Sequence, residues 1–319
     1  MRLVPLLLCV MACGPADETA DSDPWANWDN RPLAERCFGG VGDVSNGIPD
    51  YDQFNPKIGH HCQGTNHQDI DAVKRLVFLG DSVTTGTPPT NLNEIYRSVV
   101  EANIKARFGD DLIVEDCSAF GARTDDLLLE PNQQIVQCFP GTDAIEERTL
   151  VVLTIGGNDM FAFAEDMRDG MPADEVMLQV EAAADLMHDA ISWFGDNEAA
   201  RFPNGVDVMF SNVYEFTDTV GDMDSCPTAA AFGFSGNIPE LRDAYLRINE
   251  RFVQTAVETQ TDVIFLLEHF CGHGFHADDP SNECYRGPGT EVYFDGTCIH
   301  PTPAGHARIA EMFTAVVDE

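Results

Sequence analysis

Five short apolar runs, separated from one another by segments of helical periodicity, limit what this chain can fold into. The runs cover residues 76–79, 113–114, 150–155, 206–210 and 263–267, with Thr154 as the one polar residue of the third and Asp207 as the one charged residue of the fourth. A short continuous apolar run is typical of a strand buried on both faces, and strands that alternate with helices form parallel sheets. The sequence therefore predicts an α/β fold, a three-layer α/β/α sandwich around a five-stranded parallel sheet.

Apolar residues at helical spacing lie between these runs. They predict helices over residues 92–102, 176–191, 241–252 and 309–316. Each helix presents one apolar stripe, which it buries against a face of the sheet.

Polar motifs follow the first three runs and precede the last helix. Gly80-Asp81-Ser82 ends the first run, Phe120-Gly121 follows the second, Asn158 follows the third, and His300 stands near the C-terminus. Open α/β sheets place their sites at the carboxyl ends of the strands. We therefore expect these residues to meet at that edge.

Taken in order, the motifs GDS, FGAR, GGND and HPTPAGH resemble those of the SGNH hydrolase family, also called the GDSL family. The resemblance runs from about Asp71 to the end of the chain. It implies the SGNH hydrolase fold, with a flavodoxin-like sheet, and a serine hydrolase that uses no cofactor.

Ser82 and His300 fit the two central roles of such an enzyme. A serine hydroxyl is a weak nucleophile at neutral pH and needs a base within hydrogen-bond reach. His300 suits that role because the histidine pKa lies near the operating pH. The resemblance further implies an oxyanion hole formed by the backbone N–H groups of Ser82 and Gly121 and the side-chain amide of Asn158.

One position departs from the family pattern, which places an aspartate three residues before the histidine. Here that position is Thr297, and the nearest aspartate is Asp295. Either the loop bulges so that Asp295 orients the imidazole, or a backbone carbonyl near Thr297 does so. We assign Asp295 as the third catalytic residue.

The N-terminus predicts export and lipid attachment. Residues 3–12 form an apolar run too short to span a bilayer, and Val10-Met11-Ala12-Cys13 is similar to a bacterial lipobox. We expect a signal peptide over residues 1–12, lipid attachment at Cys13 and an acidic flexible tether over 13–30. This predicts an outer-membrane lipoprotein, or a protein of the cell surface or periplasm of a Gram-negative bacterium. An ordinary signal peptide with an incidental Cys13 remains the alternative.

Eight further cysteines accompany this export signal. An even number in an exported chain is typical of disulfides, here Cys37–Cys62 and Cys117–Cys138. The last four, Cys226, Cys271, Cys284 and Cys298, are expected to pair among themselves. Residues 31–70 then form a loop-rich, disulfide-stapled extension, and residues 71–319 form the hydrolase domain.

Three clusters have metal-ligand residue types. Residues 43–52 resemble an acidic calcium loop, His60, His61, Cys62 and His67 could suggest zinc, and residues 271–279 contain Cys, His and Asp. Val44 stands where a calcium loop aligned on its glycine has an aspartate, so we predict a solvated turn over residues 43–52. At the other two clusters the cysteines are expected in disulfides, so we predict stapled loops and no metal.

The formal net charge of −36 bears on the partners. A field this negative argues against binding nucleic acid or an anionic membrane surface. The expected partners are a small ester substrate and the membrane, through the lipid anchor, and the oligomeric state stays open.

The sequence therefore predicts a serine esterase that cleaves carboxylic esters through an acyl-enzyme, with an acylated carbohydrate or lipid as substrate. Two alternatives stay open. One is a lipid-anchored acyl hydrolase of lipase or thioesterase type, and the other is a catalytically inactive surface binding protein on the same fold.

Overall fold

The computed structural model describes residues 31–39, 49–233 and 235–319. The signal peptide, the lipid-attachment residue Cys13 and the tether predicted over residues 1–30 lie outside the described residues. So do residues 43–48 of the calcium-like loop. None of the helices within the described ranges combines the length and the apolar character needed to cross a bilayer.

A five-stranded parallel sheet forms the centre of the molecule, as predicted. Its spatial order is β2-β1-β3-β4-β5, and every neighbouring pair is parallel. The strands are β1 Arg75–Gly80, β2 Ile113–Asp116, β3 Thr149–Thr154, β4 Val206–Ser211 and β5 Asp262–Ile264.

Helices cover both faces of this sheet and give the three layers. One layer pairs α3 with α9, and the other packs α5, α6 and α7 together. The helices are α1 Leu33–Cys37, α2 Ser82–Thr85, α3 Tyr96–Phe108, α4 Gln134–Cys138, α5 Gly157–Arg168, α6 Ala173–Arg201, α7 Leu241–Thr259, α8 Leu266–Phe270 and α9 Pro303–Asp318.

The strand order fixes where a site can form. From β1 the chain moves outward to β2, and then returns to place β3 on the other side of β1. The helical connections therefore diverge at the carboxyl ends of β1 and β3 and leave a crevice between them. All six residues of β3 are buried, which agrees with the four apolar residues 150–153 at its centre.

Two element boundaries differ from the sequence expectation. The fifth strand ends at Ile264, and Leu266 and Leu267 begin the short helix α8. The sequence prediction was wrong here because a short apolar run does not distinguish a buried strand from a buried helix. The helix predicted from Leu92 begins only at Tyr96. Leu92 lies in the preceding turn and is 75% exposed.

Residues 64–67 pair with the exposed edge of β5. Gly64 forms an antiparallel bridge with Ile264, and the buried carboxylate of Asp262 accepts hydrogen bonds from the Thr65 hydroxyl and the His67 N–H. An uncovered edge strand would offer unpaired backbone groups to another chain. Residues 64–67 remove that exposure at β5.

The described residues form four disulfides. Cys37–Cys62 and Cys117–Cys138 form as predicted. The last four cysteines do pair among themselves, as Cys226–Cys298 and Cys271–Cys284. Cys298 lies two residues before His300, so its disulfide anchors the segment that carries this histidine.

Candidate active site

Gly80 makes the turn into the site possible. Its φ is +117°, and a Cβ at this position would lie 2.1 Å from the Thr154 carbonyl oxygen of the neighbouring strand. Only glycine therefore lets β1 stay paired with β3 while the chain turns. Asp81 then caps helix α2 by accepting the Val83 N–H at 3.0 Å, and Ser82 becomes the first helical residue.

Two residues that the sequence analysis missed stabilise this turn. The Gln134 side-chain amide donates to the Gly80 carbonyl at 2.8 Å and accepts its N–H at 2.6 Å. On the other side, the Thr154 hydroxyl donates to the Asp81 carboxylate at 3.0 Å. Neither residue belongs to a recognisable motif, so only the folded chain reveals these contacts.

Ser82 and His300 lie in hydrogen-bond contact. The Ser82 Oγ is 2.9 Å from the His300 Nε2, although the two residues are 218 positions apart in sequence. This distance suits the transfer of a proton from the hydroxyl to the ring.

The loop that carries His300 is closed at several points. The Asp295 N–H donates to the His300 carbonyl at 2.9 Å, and the Tyr214 hydroxyl donates to the Ile299 carbonyl at 2.7 Å. The Cys226–Cys298 disulfide adds a covalent link. The backbone at and just before His300 is therefore held by two hydrogen bonds and a disulfide.

The partner of the other ring nitrogen is a hydroxyl, which corrects the sequence expectation. The Thr297 Oγ1 lies 2.8 Å from the His300 Nδ1 and donates to the Asp295 Oδ1 at 2.5 Å. The Thr297 N–H also donates to this Oδ1, at 2.7 Å. The Asp295 carboxylate therefore lies against Thr297 and not against the ring. The threonine side chain occupies the position next to the ring.

Burial and charge act in opposite directions on His300. Burial is the larger influence and lowers the pKa of His300 from its usual value of 6.5, while the Asp295 charge raises it. The ring is therefore neutral at neutral pH. A neutral imidazole can accept the proton of Ser82.

The expected oxyanion-hole donors lie at the same edge. Ser82 opens α2, so its N–H has no acceptor within the helix. Asn158 is the second residue of α5, and its amide Nδ2 donates to the Ala122 carbonyl at 2.8 Å, which ties the Gly121 loop to α5. Gly121 has a φ of +76°, and no atom lies within 4 Å of where its Cβ would be.

A cavity opens beside Ser82, Asn158 and His300. It holds about 720 Å³ of empty space, counting its open mouth. Most of the wall side chains away from the catalytic groups are apolar, and they come from α5, the segment after β4, and α7: Met160, Phe161, Ala164, Val213, Phe216, Met223, Leu241 and Tyr245. The carboxyl of Glu215 also lies in this wall, and burial raises its pKa to about 7.

The possible metal ligands are occupied by other contacts. Cys62 and Cys271 are in disulfides, and His60 contacts the Glu319 carboxylate at 2.6 Å. Within the described ranges, no three His, Cys, Asp or Glu side chains are arranged to hold a metal ion.

Comparison with known families agrees with this geometry. Residues 78–308 match the model of the GDSL-like Lipase/Acylhydrolase family. The match covers more than two thirds of the chain, and the chain therefore belongs to this family. It is an ester-hydrolysing enzyme.

Solved structures with similar chains include three hydrolases. The lipase Lip_vut3 from a goat rumen metagenome is 16% identical, with a TM-score of 0.49 over 76% of this chain and 96% of that one. The lipase/acylhydrolase from Enterococcus faecalis is 15% identical, with a TM-score of 0.44 over 76% and 93%. The acetyl xylan esterase AlAXEase is 17% identical, with a TM-score of 0.47 over 76% and 99%. No curated protein matches the chain in sequence.

Replacing Asp81 with asparagine should change how stability depends on pH. Burial raises the pKa of Asp81 from 3.8 to about 7, so the folded state favours the protonated carboxyl. The stability that this preference contributes is fully present below pH 3.8 and is lost as the pH rises through 7. The asparagine side chain cannot ionise, but its carbonyl can still accept both hydrogen bonds. The stability of Asp81→Asn relative to wild type should therefore increase from pH 5 to pH 8, as measured by urea denaturation.

The exposed Asp110 provides the matched control. For Asp110→Asn, the difference from wild type should stay nearly constant over this pH range. A constant difference for Asp81→Asn as well would contradict the role of burial at Asp81.

Proposed function

We propose that this protein is a serine esterase that hydrolyses carboxylic esters through an acyl-enzyme formed on Ser82. The contact of 2.9 Å between the Ser82 Oγ and the His300 Nε2 carries this proposal, because it activates an otherwise weak nucleophile. In the first step the Ser82 oxygen attacks the ester carbonyl carbon, and its proton moves to His300. The ring then returns this proton to the departing alcohol.

The second step reverses the roles. His300 removes a proton from a water molecule, which attacks the acyl-enzyme, and the carboxylic acid leaves as Ser82 recovers its proton. Each attack creates a tetrahedral intermediate with a negatively charged oxygen. The N–H groups of Ser82 and Gly121 and the amide of Asn158 are the donors for this oxygen, and one such donor typically contributes about 10²–10³ in rate.

Asp295 is the third member of this catalytic group. Asp295 is 8% exposed, and its charge raises the pKa of His300 against the effect of burial. A negative charge here stabilises the imidazolium that forms during each attack. Asp295 therefore acts on the histidine and not on the substrate.

The apolar cavity wall favours a substrate with a hydrophobic acyl group. Ser82 lines the cavity together with the apolar side chains of Phe161, Ala164, Phe216 and Leu241. An acyl chain lying there would be removed from water, which contributes about 0.8 kcal/mol per CH₂ group. The alcohol would leave through the open mouth, so a fatty acyl ester of a lipid or of a carbohydrate fits this arrangement.

A series of p-nitrophenyl esters from acetate to palmitate tests this function. We expect kcat/KM to rise from acetate until the cavity is filled, because each added CH₂ is buried against the apolar wall. Ser82→Ala should reduce the rate to near background for every ester. Highest activity on acetate would contradict the acyl-chain assignment, and an active Ser82→Ala would contradict the acyl-enzyme.

Ala164→Leu serves as the control for the cavity. Ala164 lies on α5 and lines the cavity, so a larger side chain shortens the space for the acyl chain. The variant should lose kcat/KM on octanoate and retain it on acetate. An equal loss on both esters would show that the cavity does not hold the chain.

We further propose that Cys13 anchors the protein to a membrane. The lipobox-like sequence Val10-Met11-Ala12-Cys13 and the acidic residues 15–23 that follow support a lipidated N-terminus. In a host that lipidates such sequences, Cys13→Ala should move the protein from the membrane to the soluble fraction. Unchanged fractionation would rule out the anchor.

A further inference from the structure

We propose that Thr297 is a positioning residue that transmits the effect of the Asp295 carboxylate to His300 through its hydroxyl group. The catalytic group would then be a chain of four side chains, Ser82, His300, Thr297 and Asp295. This inference rests on the proposed roles of Ser82 and His300. It assigns a function to a residue that stands where the family pattern places an aspartate.

The polarity of the hydrogen bonds carries the argument. An ionised carboxylate only accepts hydrogen bonds, so the short contact from the Thr297 Oγ1 to the Asp295 Oδ1 uses the single proton of the hydroxyl. The same oxygen must therefore accept from His300, whose Nδ1 lies 2.8 Å away. Thr297 thus fixes the tautomer with the proton on Nδ1.

This tautomer is the one that catalysis requires. With Nδ1 protonated, the His300 Nε2 carries a free lone pair directed at the Ser82 hydroxyl, 2.9 Å away. All three hydrogen bonds then run in one direction, from Ser82 to His300, to Thr297 and to Asp295. A hydroxyl can complete this chain because it accepts and donates at one atom.

The local backbone holds Thr297 in this position. Its N–H donates to the Asp295 Oδ1 at 2.7 Å, and the Cys298 N–H donates to the Asp295 carbonyl at 3.1 Å. The branched Cβ of threonine also restricts χ1. The hydroxyl therefore reaches the ring without the cost of ordering a flexible side chain.

The Asp295 carboxylate is not fully neutralised by hydrogen bonds, so its charge still acts on the His300 ring. Its second oxygen, Oδ2, is buried and has no hydrogen-bond partner in the described part of the chain. A hydroxyl between the carboxylate and the ring lengthens the separation of the two charges. We therefore expect weaker stabilisation of the imidazolium than a carboxylate in direct contact provides, where loss of the partner costs roughly 10⁴ in turnover.

Three substitutions of Thr297 test this role in the full-length enzyme, with kcat and KM measured on one p-nitrophenyl ester. Thr297→Val keeps the shape and the N–H but removes the hydroxyl, and it should lower kcat by roughly 10- to 100-fold with little change in KM. Thr297→Ser restores the hydroxyl and should recover most of that loss. Thr297→Asp places a carboxylate beside Nδ1 and should move the acidic limb of the pH–rate profile to higher pH.

A double-mutant cycle with Asp295→Asn distinguishes a relay from two independent effects. Asparagine can still accept the Thr297 O–H, but it carries no charge. In the relay, Asp295→Asn should lower kcat in the wild-type background and have a much smaller effect in the Thr297→Val background. Equal effects in both backgrounds would overturn the relay. Wild-type kcat in Thr297→Val, or a loss that Thr297→Ser does not restore, would also overturn it.

A measurement without turnover separates this inference from the proposed function. In a Ser82→Ala protein, the His300 ring can be followed by NMR as the pH is varied. The relay predicts that the ring carries its proton on Nδ1 and that Thr297→Val changes the tautomer population. An unchanged tautomer would overturn the relay. Esterase activity in Ser82→Ala would overturn the proposed function, and the NMR measurement would still decide whether Thr297 sets the tautomer of His300.

Discussion

The pairing of β1 with β3 up to their last residues is the constraint on which the site depends. Gly80 lies against Thr154 at the end of this pair, and the absence of a side chain on Gly80 keeps the two strands in register. Because the chain diverges at this point, the segments that follow the two strands face one crevice. Ser82 comes from one of them and Asn158 from the other, so a shift in this register would separate the proposed nucleophile from the proposed oxyanion donor.

The loops that carry His300 and Gly121 are held at this crevice by contacts between residues distant in sequence. The His300 loop is held by the Tyr214 hydroxyl, the Cys226–Cys298 disulfide and its own backbone bonds. The Gly121 loop is tied to α5 through Asn158. Such fixed positions matter because catalysis needs the donors and the base in place before the charge develops. These contacts connect the loops of the site to the elements around the sheet.

The sequence predicted which residues form this site better than it predicted the hydrogen bonds between them. Uninterrupted apolar runs revealed the strands, and the motifs around Ser82, Gly121, Asn158 and His300 were recognisable because each one directly follows a strand or precedes the last helix. The role of the Thr297 side chain was not predictable, since it depends on how residues 295–300 fold back on themselves. Likewise, Gln134 contacts Gly80 across 54 residues, and nothing in its local sequence indicates this contact. The apolar residues after Ile264 were predicted as strand and form a helix, and the sequence could not show this because a short buried run has no periodicity that distinguishes the two.

The central claim is that a Ser82–His300 pair forms an acyl-enzyme, and mass spectrometry of the trapped intermediate tests it most directly. The protein would be mixed with a p-nitrophenyl ester and quenched in acid within the first turnovers, before the acyl group is released. The account predicts a mass increase equal to one acyl group, located on the peptide that contains Ser82 and missing in Ser82→Ala. An acyl group on another residue, or turnover with no covalent intermediate under conditions in which acyl transfer outpaces hydrolysis, would contradict it.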